Sequence, residues 1–599
     1  MAAEPPQVPK SEDPEDLGFT PQPMVGWFTP SELVRAGVKA LLSGLFGAYA
    51  DRRETQAALR PQGSFDYSDK EEIWLDFVAD AGDGFDSTYA VARLIAEKEL
   101  PLSLAGKTWT TRRGDLLLFG GDEVYPTATS EEYRNRLVGP YRAAFPWGPH
   151  EKAPHVFAIP GNHDWYDGLT SFIRVFCQEW RWVGGWMTKQ SRSYFALKLR
   201  ENLWVWGIDV QLGSDVDEPQ IKYFKGISNQ MPKRSKIILL TAEPSWVFTE
   251  LDGPHSQPYR NLQLFERQTM KHHEHRVVVG LAGDLHTYAR YEEPGSQEQL
   301  FVAGGGGGYL YPTHDLPDRL ELKERAYDSA PYKKKASYPA PATSRRISFG
   351  SLLFPFKNLL FSGFVGAVYL FYTWIWQSAS RLAADGGETL LKQLANLGLS
   401  LRDFDQLFSI LAASIRHSPQ SIFLLFLLWV GLVFFADRKS LPGKLVLGSV
   451  HTTAHLAALL GSMWLFASLG DVLGLEVGDW RQIVLQGAGM LVGGGLLGGL
   501  VMGLYFLLSN LLLKAHTNEV FICQRLPDYK HFLRLHVGNG KLTIYPIGID
   551  RVPRRWRGGW RLNREAAAGE PWFEPAHGSI VELARLIEEP IEIPLTSSS

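Results

Sequence analysis

Phe157-Ala158-Ile159-Pro160-Gly161-Asn162-His163-Asp164 is an apolar run that stops at a Pro-Gly turn and delivers an amide, an imidazole and a carboxylate together. A short apolar run closed by a turn reads as a buried strand. The three polar side chains then stand at its carboxyl end, the edge where α/β proteins gather functional groups. Their chemistry suits metal binding by Asn162, proton donation by His163 and support by Asp164.

The pattern recurs on both sides of this stretch. Upstream, Trp74 to Ala79 reads as a strand that delivers Asp80-Ala81-Gly82-Asp83, and Asp115 to Phe119 delivers Gly120-Gly121-Asp122-Glu123-Val124-Tyr125. Downstream, Ser193 to Leu199 and Leu203 to Asp209 alternate like paired strands. Lys236 to Leu240 ends at Thr241-Ala242-Glu243-Pro244, and Arg276 to Leu281 ends at Ala282-Gly283-Asp284-Leu285-His286. Gln299 to Ala303 runs into Gly304 to Gly308, a glycine run that lacks the following Lys-Ser/Thr of a phosphate-binding loop. Helical spacing between strands, as in Ser87 to Glu99, predicts βαβ units whose strand ends converge on one edge. Turns bearing Asp, Asn, Glu or His in such number exceed what packing requires and point to a metal site.

In order and spacing, residues 70 to 315 resemble the calcineurin-like metallophosphoesterase superfamily. DxG at Asp80 to Gly82, GDxxY at Gly121 to Tyr125 and HxYxR at His286 to Arg290 look like its purple acid phosphatase variant. The resemblance implies a two-sheet αββα sandwich and a first metal held by Asp80, Asp122, Tyr125 and His286. Asp122 would bridge to a second metal that also binds Asn162. His163 would lie beside the phosphate as acid or charge stabiliser, oriented by Asp164, and Asp83 or Asp86 would support the ligands. Tyr309, Tyr311 and His314 are candidates for the pocket rim.

Two departures stand out. Ala242-Glu243-Pro244 replaces the family's HxP, and Gly283-Asp284-Leu285-His286 replaces GHxH, so both imidazoles usually given to the second metal are missing. Glu243 and Asp284 offer oxygen in their place, a hard donor set that favours manganese or magnesium over zinc. A Tyr125 phenolate would favour iron at the first position. The opposing reading leaves the second site empty and the domain mononuclear or inactive; His255 is a lesser candidate for a missing ligand.

At 599 residues the chain exceeds one core. With 61 basic and 64 acidic residues, bulk charge argues against a nucleic-acid partner. Cys177 and Cys523 form neither a ligand pattern nor a disulfide framework, which suits a reduced, cytoplasmic setting. The first thirty residues lack the pattern of a cleavable signal peptide. Residues 31 to 53 have helical apolar spacing, for packing on the soluble domain or lying on a membrane.

The mean hydropathy of −0.12 hides two unlike regions. Asn358 to Ser380, His417 to Ala436, Leu445 to Gly470 and Ile483 to Leu513 contain no Asp, Glu, Lys or Arg. Each reaches the roughly 20 residues that cross a bilayer as a helix, which predicts a four-helix transmembrane domain. Gly489, Gly493, Gly495, Gly499 and Gly503 would let helices approach closely. Lys333 to Lys335, Arg345, Arg346 and Lys357 precede the first stretch, Arg438, Lys439 and Lys444 follow the second, and Lys514 follows the fourth. The positive-inside rule then places both termini in the cytoplasm, with Arg381, Lys392, Arg402 and Arg416 dissenting from the opposite side. His451 and His455, one turn apart, could hold a metal, pass a proton or hydrogen-bond between helices.

The expected layout is an N-terminal extension over 1–60, the phosphoesterase domain over 61–340, the membrane domain over 350–515 and a small β-containing C-terminal domain over 516–599. In the last, Gly538-Asn539-Gly540 predicts a hairpin, and Arg551 to Arg557 with Trp556, Trp560 and Arg561 form a basic aromatic strip for headgroups, phosphate or solvent. The expected function is hydrolysis of a phosphate ester, amphiphilic for an enzyme among membrane lipids, by metal-activated water at the plasma (inner) membrane. A non-catalytic sensor or scaffold and a transporter with a regulatory soluble domain are the alternatives. No oligomeric state follows from the sequence.

Overall fold

The computed structural model describes residues 7–35, 37–38, 62–148, 153–210, 216–252, 256–295, 298–323, 325–327, 329–383, 388–397, 401–416, 418–476, 478–557, 562–563 and 565–595. They form two compact units. One comprises residues 1–25, 36–344 and 525–599, and the other residues 26–35 and 345–524. His255 and most of the helix expected over 31–53 lie outside the described residues.

The first unit is built on two nine-stranded sheets. Period-two alternation sorts their side chains. Ile73, Leu75 and Phe77 of strand Ile73–Val78 join Leu116, Leu118, Phe157, Leu203 and Val205 in a core shared by both sheets. Val78, Leu117, Phe119, Val156 and Ala158 face the opposite way, against helix Phe85–Ala96. On the other sheet Trp204 and Trp206 pack with Phe224 and Phe265 of helices Glu218–Ser228 and Gln257–Thr269. Three apolar layers between helix, sheet, sheet and helix make the αββα sandwich.

In one sheet, strands Ile73–Val78, Leu116–Phe119 and His155–Ala158 lie side by side in parallel. In the other, Leu203–Gly207, Lys236–Leu240, Arg276–Ala282 and Gln299–Ala303 do the same. Each expected strand forms, with ends shifted by a residue or two. The tail strands do not stand apart. Lys530–Gly538 and Lys541–Ile549 form the expected hairpin, with Asn539 and Gly540 at φ 51° and 70° as a turn of this hand requires, and the first pairs antiparallel with Ile73–Val78. The region read as a C-terminal domain therefore extends the first sheet. From the basic strip, Trp556 is buried against Phe85 and Tyr89, its indole N–H donating to Asp86, because an apolar ring is stabilised more by the core than by solvent.

In the second unit, among the described residues, three helices are long and apolar enough to cross a membrane: Leu359–Ser380, Leu441–Val472 and Trp480–Leu513. The second expected span, His417 to Ala436, forms a shorter helix, Pro419–Phe435. Pro419 starts it, as proline suits a first helical turn, and the polar run from Asp437 prevents extension. Glycines do allow close approach: a Cβ on Gly495 would collide with the Ser362 carbonyl. His455 shares a hydrogen bond of 2.8 Å with the Tyr369 hydroxyl, and the His451 ring stacks on Tyr505 at 3.8 Å. These contacts lie between helices.

Candidate active site

Three strand ends turn abruptly. Asp80, Asp122 and Asp284 follow strands Ile73–Val78, Leu116–Phe119 and Arg276–Ala282, and all three have left-handed backbones, at φ 56°, 51° and 65°. A residue with a Cβ reaches that region at a cost, and such strain collects at functional sites.

Among the described residues, Asp80, Asp122 and His286 offer ligand atoms that all lie within 4.8 Å of one another, and all three are buried. The Tyr125 hydroxyl sits among them, 3.1 Å from Asp80 Oδ1, 3.3 Å from Asp122 Oδ2 and 2.9 Å from His286 Nε2. His286 Nδ1 donates to the Tyr309 carbonyl at 2.9 Å, which leaves Nε2 as the lone-pair nitrogen. Gly304 passes so close that a Cβ there would collide with Asp80 Oδ2.

Asn162, Glu243 and Asp284 are only partly covered. Asn162 hydrogen-bonds the Tyr166 hydroxyl, and its Oδ1 is buried without a protein partner, as are Glu243 Oε1 and Asp80 Oδ2. Buried oxygens of this kind call for a donor or a cation. Burial, with Asp284 and Asp122 near, raises Glu243 to about 8; burial and Asp122 raise Asp284 to about 7; burial and Asp164 raise Asp122 to about 8. Asp80 is raised too, by burial and then by Asp122 and Asp284. The carboxylates crowd one another, and the donors fit cations: buried Asp, Asp, Tyr and His on one side, Asn, Glu and Asp oxygens on the other.

The GNHD turn has a division of labour that differs from the expectation. His163 Nδ1 donates to the Pro126 carbonyl at 2.7 Å, while its backbone N–H donates to Asp122 Oδ1 at 2.9 Å. Asp164 receives the Tyr133 hydroxyl and the backbone N–H groups of Gly161 (2.8 Å) and Glu123 (3.2 Å). A carboxylate buried behind its helix meets backbone donors first, so Asp164 holds the turn and Pro126 orients the imidazole. Asp83 accepts from the Val25 N–H at 2.7 Å.

The tail adds residues that no motif marked. His531 donates its backbone N–H to the Gly305 carbonyl at 3.0 Å, bracing the glycine turn behind Asp80. Buried Lys530, lowered to about 8 by burial, lies near enough to Asp83, Asp528 and Asp80 to feel their charge.

The raised carboxylates set a pH dependence. Without cations the folded site keeps protons that the unfolded chain releases above about pH 4, so stability is present at low pH and lost as pH rises through 7 to 8. Cations would remove that repulsion. The rise in melting temperature on adding manganese to metal-stripped protein is therefore expected to be larger at pH 8 than at pH 5.5; an equal or smaller rise at pH 8 would count against the crowded-carboxylate account.

Residues 73–288 match the family model described as calcineurin-like phosphoesterase. Among solved structures the chain is similar to one titled "GAP50 the anchor in the inner membrane complex of Plasmodium", at 10% identity over 46% of this chain and 94% of that chain, TM-score 0.31. It is also similar to PhoD, at 13% identity over 42% of this chain and 59% of that one, TM-score 0.25. No curated protein matches.

Proposed function

With residues 73–288 a calcineurin-like phosphoesterase domain, we propose that this protein is a metal-dependent phosphoesterase, held at a membrane by residues 345–524, that hydrolyses a phosphate ester by attack of water. The observation that carries the reading is the buried Asp80–Asp122–His286 group closed by the Tyr125 hydroxyl. Asp80, Asp122, Tyr125 and His286 would hold one cation; Asp122, Asn162, Glu243 and Asp284 would hold a second, with oxygen donors suited to manganese or magnesium. Two such cations supply activation of water and neutralisation of phosphoryl charge.

The chain's own residues do the rest. Asp122 ties the two donor sets together through one carboxylate, fixed by the His163 N–H and the Tyr125 hydroxyl. Burial lowers His163, so its imidazole is neutral with Nε2 unprotonated once Nδ1 donates to Pro126. The charge of a bound phosphate favours the protonated form. The proton then sits at Nε2, ready for the departing ester oxygen. An amphiphilic phosphate ester suits an enzyme at a bilayer, and the basic residues beside the apolar helices favour the cytoplasmic face.

Ala242 and Asp284, standing where the family has histidines, favour a second reading: a sensor or scaffold with one metal and no turnover. Elemental analysis of detergent-purified protein, with p-nitrophenyl phosphate turnover before and after chelation, separates the two. Two metals per chain and activity restored by manganese are expected. One metal and no metal-dependent turnover would remove the enzymatic reading.

A further inference from the structure

We propose that the short helix Pro419–Phe435 also crosses the bilayer, its outward face seated against lipid acyl chains, so that residues 345–524 are a four-crossing insertion in the catalytic unit. The proposal rests on the membrane reading above.

The first argument is parity. Strand Lys530–Gly538, after the insertion, hydrogen-bonds to strand Ile73–Val78, before it. Both pieces belong to one folded body and must occupy one compartment. An even number of crossings is required, and the three long helices supply an odd number.

The second is the sorting of helix ends within the insertion. Asn358 Nδ2 donates to the Cys523 carbonyl at 2.9 Å, so the start of the first long helix meets the chain after the last. Arg438 donates to the Leu513 carbonyl at 3.0 Å, and Asp437 accepts from the His516 N–H at 2.8 Å. The link that follows Pro419–Phe435 thus lies at that same end. At the opposite end Lys392 pairs with Asp471 at 3.1 Å, and the Trp464 indole donates to the Leu397 carbonyl at 3.1 Å. The short helix runs between, with Trp429 donating to Ser449 at 2.9 Å and Val433 against Gly448.

The third is its surface. Ile422, Phe423, Phe426 and Leu427 recur at helical spacing and are about half exposed or more, and Phe434 is 77% exposed. No charge interrupts this stripe, which would be costly in water and is suited to hydrocarbon. Seventeen residues rise about 25 Å, at the lower limit for a crossing, and a small mismatch costs little where Arg416 and Arg438 flank the ends.

Cys177 and Cys523 are both buried, so added cysteines can report alone. Full-length Asn396→Cys, Lys439→Cys and Glu476→Cys variants would be treated with a membrane-impermeant maleimide in intact and permeabilised cells. Labelling of Asn396→Cys and Glu476→Cys from one side and Lys439→Cys from the other is the expected result. Lys439→Cys sharing a side with Asn396→Cys, whatever Glu476→Cys does, overturns the proposal. Release of the protein by an alkaline carbonate wash would instead sink the membrane reading beneath it.

Discussion

Asp122→Asn is expected to cut turnover of an aryl phosphate by about a thousandfold, because several kcal/mol of charge stabilisation depend on the cations this carboxylate would share. One of its oxygens accepts the His163 N–H and the other the Tyr125 hydroxyl. An amide in its place keeps one acceptor at most and loses the charge that both donor sets use. The fold should stand. Without cations Asp122 is a source of repulsion, raised to about 8 by burial and Asp164, so its neutralisation does not lower the melting temperature of metal-stripped protein. Activity within about tenfold of the parent would remove Asp122 from the bridging role. Loss of activity together with a fall in melting temperature would move it to a structural one.

Arg534→Ala is expected to give the largest loss of stability, about 3–5 kcal/mol, the usual cost of leaving one partner of a buried ion pair alone. Arg534 and Asp76 are both fully covered and meet across adjacent strands at 2.6 and 3.2 Å. The guanidinium also donates to Thr111 Oγ1 and to the Ile95 carbonyl, each at 3.2 Å. Burial holds the Asp76 carboxyl above the ordinary range even with Arg534 beside it. Adding Asp76→Leu to Arg534→Ala should therefore regain part of the loss, since replacing a buried pair by apolar groups is often close to neutral. Calorimetry on the two single variants and the double variant reads the cycle. Arg534→Ala melting within about a degree of the parent would show that the pair does not hold the tail strand in place.

Much of the candidate site is legible along the chain. Each of Asp80, Asp122, Asn162, Glu243 and Asp284 follows an apolar run, and runs of that length bounded by turns form strands wherever two faces are buried. The role of Asp164 is not legible, because its partners include Tyr133 and backbone N–H groups placed by the turn, and no side-chain pattern announces a backbone donor. The Pro126 carbonyl that orients His163 is hidden for the same reason. Between the two halves of the phosphoesterase-like unit composition marks four apolar stretches, while the length of the second as a helix depends on where Pro419 and Asp437 stop it.

Local chemistry follows from the order of residues alone: alternation with period two makes the strands, glycine and proline end them, and acidic, amide and imidazole side chains are left at the ends. Folding in three dimensions adds what no local pattern contains, that a strand from the far end of the chain joins the sheet that carries Asp80 and Asp122, where Arg534 meets Asp76 from 458 positions away. Strand pairing runs through backbone hydrogen bonds that every residue but proline can make, so a strand's neighbour is selected by what the whole sandwich buries. The same closure decides that the turn opened by Asn162, His163 and Asp164 faces the Asp80, Asp122 and His286 group, where the His163 N–H donates to Asp122.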